Sequence, residues 1–71
     1  MRSNTLYQYR HKHDLSQAAL AARVGCHPDT IYKLEHDLMK PTVPMARRIA
    51  EVLNCHIDDL WPPVVDGSGS V

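Results

Sequence analysis

Apolar positions recur along the chain at helical rather than strand spacing, in five separate groups. Leu6 and Tyr9, with Arg10 beside them, share one face of a predicted helix over Asn4 to His13, with Ser3 as its N-cap. Leu20, Ala21 and Val24 fall on one face of a short second helix. Ser16 is the residue type that caps its start, and Gly25 supplies the positive φ that commonly ends a helix. In the third group Thr30, Ile31 and Leu34 lie on one side, while Pro28, Asp29, Tyr32, Lys33 and His36 fall within an arc of about 140° on the other, taking ~100° per residue. Pro28 suits the first position of that helix, where its missing N–H would be unpaired anyway, so His27 becomes the N-cap. Met45, Ala46, Ile49, Ala50 and Leu53 form the stripe of a fourth helix, capped by Thr42 and ended by Asn54. A last turn, Ile57 to Trp61, stops at Pro62-Pro63. The expectation is an all-α, five-helix domain over residues 1–61, with residues 62–71 a flexible C-terminal tail of linker composition.

The chain has 71 residues, 44% of them hydrophobic, which allows one small core and leaves little room for an enzyme cleft. Catalysis and a small-molecule substrate are therefore not expected. No run approaches the ~18 apolar residues of a membrane span, and the N-terminus lacks an apolar signal core, so the expected location is cytoplasmic and no membrane partner is expected. The formal net charge is zero, which speaks against a nucleic-acid partner. Its distribution speaks the other way. Residues 1–50 hold all eight Lys and Arg against only Asp14, Asp29, Glu35 and Asp37, whereas the remainder carries four acids and no Lys or Arg.

Two Cys-His pairs, Cys26-His27 and Cys55-His56, raise a metal site as a reading. Their spacing argues against it, because neither shows Cys-x-x-Cys or His-x-x-x-His, and adjacent residues in a tight turn seldom point at one ion. Both pairs instead share a layout: a terminator (Gly25 or Asn54), a small residue that can be buried, an N-cap, then a first turn carrying an acid favourable to the helix dipole. No metal and no cofactor is expected, and the thiols are expected to be free. His11, His13 and His36 are read as solvated helix-surface residues.

Two short helices joined by Gly25-Cys26-His27 have the helix-turn-helix arrangement, whose second helix enters the DNA major groove. A solvated polar face on a small helix would look the same on the wheel. The ordered set of residues around it goes further: Ser16-Gln17, Leu20-Ala21, Val24-Gly25, Thr30-Ile31, Leu34-Glu35, Pro41, Ile49-Ala50, Leu53 and Leu60. On these residues the chain resembles the lambda-repressor and Cro-like (XRE-type) helix-turn-helix family of phage and bacterial regulators, from about Leu6 to Trp61.

The resemblance implies roles. Gln17 matches a phosphate-contacting glutamine. Pro28, Asp29, Tyr32 and Lys33 match positions that face base edges, where Lys33 can donate to guanine O6 or N7 and Asp29 can accept from cytosine N4. Lys40 matches a segment passing the DNA backbone, and Arg10 and Glu35 match a partly buried ion pair. Each has a plain alternative, as an exposed helix residue, a packed ring or a solvated lysine. The chain also departs from the family: His36-Asp37 stands where Asn-Gly is frequent, Ala19 where an acid is frequent, and His27 and His56 where Ser or Thr usually cap. The implied function is a sequence-specific double-stranded DNA-binding regulator, expected to be a repressor of phage or mobile-element type. A homodimer through the last helix and Trp61 is a further expectation. One rival reading is a protein-interaction module of antitoxin or anti-repressor kind on the same fold; the other is a metal-binding regulator.

Overall fold

The computed structural model describes residues 4–62. Five helices follow in order: α1 Leu6–Lys12, α2 Gln17–Val24, α3 Pro28–Glu35, α4 Val43–Val52 and α5 Ile57–Leu60. There is no strand among the described residues. The proposed N-cap Ser3 and the tail beyond Pro62 lie outside them.

Three helix starts are made by the expected side chains. Ser16 accepts from the Ala19 N–H, Thr42 from the Met45 N–H, and His27 Nδ1 from the Asp29 N–H at 3.0 Å. At α5 the acid does the work: the Asp59 carboxylate accepts from the His56 backbone N–H at 3.0 Å. The N-cap of α1 is Thr5, so that helix begins later than its apolar spacing predicts. Asn4 is the cause. Its Oδ1 accepts from the Leu6 N–H, an Asx turn that competes with a further helical turn.

The ends of α1 to α4 share one device. Asp14, Gly25, Asp37 and Asn54 all have positive φ, at 55°, 89°, 57° and 53°. The N–H of the next residue bonds back to the carbonyl five positions earlier: Leu15 to Arg10, Cys26 to Ala21, Leu38 to Lys33 and Cys55 to Ala50. This is the left-handed termination that satisfies orphan carbonyls, with an apolar residue following it. Three of those followers, Leu15, Cys26 and Cys55, pack against the core. The Cys-His pairs are thus helix punctuation. Asp37 takes the left-handed conformation that a glycine would, so His36-Asp37 preserves the turn after α3.

All five helices feed one core, formed by Leu6, Leu20, Ala21, Val24, Ile31, Leu34, Ile49, Ala50, Leu53 and Leu60. Helix α2 packs chiefly against α3 and also against α4, α4 against α5, and α1 against α3. Ala21 is fully buried, as a close α2–α3 approach requires. The N-terminal segment is tied to α5 by the Thr5 N–H, which donates to the Leu60 carbonyl at 2.9 Å.

Candidate nucleic-acid interface

The α2–turn–α3 unit is held from behind by a buried polar network. Arg10 Nε donates to Glu35 Oε2, its Nη2 to Glu35 Oε1 at 3.2 Å, and its Nη1 to the Leu15 carbonyl at 2.8 Å. Glu35 is 1% exposed. Ionised groups taken out of water persist only when their hydrogen-bonding capacity is met, and among the described residues no buried side-chain polar atom is left without a partner. The network joins α1, the α1–α2 connection and the end of α3, so it sets how α3 is presented.

Gln17 belongs to this network. Its Nε2 donates to Glu35 Oε1 at 3.2 Å, which turns the side chain inward. The Gln17 backbone N–H, at the first position of α2, is one of the orphan donors of a helix start. Nothing in the sequence signals the contact, because Gln17 and Glu35 stand 18 positions apart.

Asn4 is a positioning residue that sequence reasoning missed. It is buried, and its Nδ2 donates both to the Leu34 carbonyl at 3.0 Å and to Asp37 Oδ1 at 2.8 Å. It therefore fastens the last turn of α3 and the start of the following loop to the beginning of α1. Its only sequence signal is an Asx-type residue just before a helix.

On the outer face, Asp29, Tyr32 and Lys33 are exposed and Pro28 is half-buried. Asp29 Oδ2 lies 3.2 Å from Lys33 Nζ, one helical turn apart. The Tyr32 ring packs against His36, with centroids 4.3 Å apart. Lys40 is exposed in the loop before α4, beside an open groove of about 370 Å³ lined by Met39, Pro41, Val43, Ile57 and Trp61. Leu38 and Val43 next to it are 65% and 64% exposed, so the follower of α3, unlike the other three, leaves the core. The structure thus brings Pro28, Asp29, Tyr32 and Lys33 onto one face, sets Lys40 on a separate loop and draws the Gln17 side chain away.

Burial pushes the Cys26 thiol above the usual range; for Cys55 burial does so first, Asp59 adds to it, and Lys12 opposes. Among the described residues no group of three or more His, Cys, Asp and Glu is arranged to hold a metal ion. No helix among them is long and apolar enough to cross a membrane.

A family profile described as helix-turn-helix matches residues 6–60, from the first residue of α1 to the last of α5. The chain belongs to the Cro/C1-type helix-turn-helix family. Two relatives from Archaeoglobus fulgidus, both described as uncharacterised HTH-type transcriptional regulators, are each 37% identical over 54 residues. The match covers 76% of this chain, 77% of one relative and 76% of the other. As a member of this family the protein is a DNA-binding transcription regulator with the all-α, lambda-repressor-like fold.

Proposed function

We propose that the protein binds double-stranded DNA sequence-specifically with α3 in the major groove, and represses transcription in the cytoplasm of its host as a regulator of phage or mobile-element type. The observation that carries this reading is the division of α3. Ile31, Leu34 and Glu35 are buried, which clamps the helix to α2 and α1, and the opposite face projects Asp29, Tyr32 and Lys33 into solvent. Clamped backbone with free side chains is what base-edge readout needs. Gln17 serves through its backbone N–H at a phosphate, and Lys40 through its charge on the flanking backbone. Trp61, half-buried against the core and bordering the groove, is the centre of a proposed homodimer contact.

A second reading, a protein-interaction module, is favoured by the formally neutral charge and by the exposed Leu38, Met39 and Val43. Selection of binding sites from random duplexes decides between them. The groove-reading protein enriches a defined sequence, arranged for a two-fold dimer as inverted half-sites with centres ~34–36 Å apart. Its affinity falls steeply with salt, and Lys40→Ala reduces that slope by about one. Absence of any enriched sequence, with a shallow salt dependence, would make the interaction module the better account.

A further inference from the structure

Asp29 and Lys33 are opposite charges held together on the face proposed to meet the bases. Their side chains are 57% and 50% exposed, so the pair stands clear of the core and is only weakly held against a competing ligand. Mutual neutralisation makes it a poor phosphate anchor. It is instead a compact dipole, with an acceptor oxygen and a donor nitrogen 3.2 Å apart.

The major-groove edge of a C·G pair presents the complementary dipole. Cytosine offers its N4 amino donor, guanine offers O6 and N7 as adjacent acceptors, and N4 and O6 are about 2.9 Å apart because they hydrogen-bond to each other. We propose that Asp29 and Lys33 read one C·G base pair as a single unit, Asp29 accepting from cytosine N4 and Lys33 donating to guanine O6 and N7. This rests on the reading that α3 enters the major groove, and adds which base pair the helix demands and in which orientation.

Orientation follows from charge. On the reversed pair the ammonium would face the N4 donor and the carboxylate would face O6, two repulsions in place of two bonds. An A·T pair also sets a donor, adenine N6, beside an acceptor, thymine O4. There, however, the remaining acceptor N7 flanks the carboxylate and the thymine methyl flanks the ammonium, so both outer neighbours are wrong.

The experiment begins with the site that wild-type protein selects from random duplexes, and substitutes each of its base pairs in turn. Wild type, Asp29→Ala, Lys33→Ala and the exchanged double variant Asp29→Lys/Lys33→Asp are titrated against this set. Expected losses for the two single variants are roughly 5- to 150-fold and fall on the same C·G pair, while the exchanged variant prefers that pair reversed. A duplex carrying N4-methylcytosine at that position, which lacks the amino hydrogen facing the groove, should weaken wild type, a readout that does not depend on a folded variant, and should leave Asp29→Ala unmoved. The proposal is overturned if the two single variants map to different base pairs, or if the exchange leaves the preference intact while wild type still selects a sequence; in either case groove reading stands without it. If wild type selects no sequence, groove reading falls and the proposal with it.

Discussion

Replacing Glu35 tests whether the buried network holds α3 in place. Glu35→Ala removes the acceptor for two Arg10 nitrogens and for the Gln17 amide, leaving, among the described residues, the Leu15 carbonyl as the hydrogen-bond acceptor of the Arg10 guanidinium. Breaking a buried pair from one side costs roughly 3–5 kcal/mol, because the remaining charge stays out of water. A domain of this size holds only about 3–5 kcal/mol in total. At 4–8 °C per kcal/mol, the expected fall in Tm is roughly 12–40 °C, enough to leave the chain largely unfolded at 37 °C. The companion variant, Arg10→Met with Glu35→Leu, removes both charges and fills similar volume. It should be near wild type or up to about 4 kcal/mol more stable, since an apolar replacement avoids the desolvation cost of the pair. Thermal melts by far-UV circular dichroism, with Trp61 fluorescence as a second probe, read both. A Glu35→Ala Tm within a few degrees of wild type would refute the reasoning, as would a double variant no more stable than the single one.

Three further outcomes are expected. Asn4→Ala, which removes three hydrogen bonds from a buried side chain, should cost roughly 1.5–4.5 kcal/mol at about 0.5–1.5 kcal/mol per bond; amide exchange should rise around Leu34 to Leu38, and unchanged protection there would show that Asn4 does not anchor the loop. Gly25→Ala should cost roughly 1–2 kcal/mol from the backbone alone, since φ is 89° and an added Cβ meets nothing within 4 Å; urea denaturation checks it, and Gly25→Asn should lose less. Because burial raises the Cys26 and Cys55 thiols in the folded state, their contribution to stability is fully present below the unfolded thiol pKa and is lost as pH rises through the folded one. Iodoacetamide should therefore react with the native protein more slowly than with the urea-unfolded chain at pH 8–9. Equal rates would place both thiols in open solvent.

What the sequence determined by itself was the punctuation of the fold. Ser16, His27-Pro28 and Thr42 at helix starts, and Gly25 and Asn54 at helix ends, act through bonds that span at most five residues, so they can be read without a tertiary structure. The buried stripes of α2, α3 and α4 were legible for the same reason, since a helical period repeats within a turn. Asp14 and Asp37 have the same left-handed role, yet aspartate signals it more weakly than glycine, and that was missed. The Asp29–Lys33 pair is local as well, at a spacing of four, and was open to the same reading.

Tertiary structure decided how the reading face is held and what is left to do the reading. The Arg10–Glu35 pair could be named only through the family resemblance, because 25 positions of intervening chain carry no mark of it. Asn4 reaches 30 and 33 positions along the chain, and Gln17 reaches 18, to partners that local spacing cannot nominate. Burial supplies the physical reason. Once packing withdraws Glu35 from water, its oxygens must find donors wherever the fold has brought them, and the Gln17 amide, which looked free in the sequence, is the donor at hand.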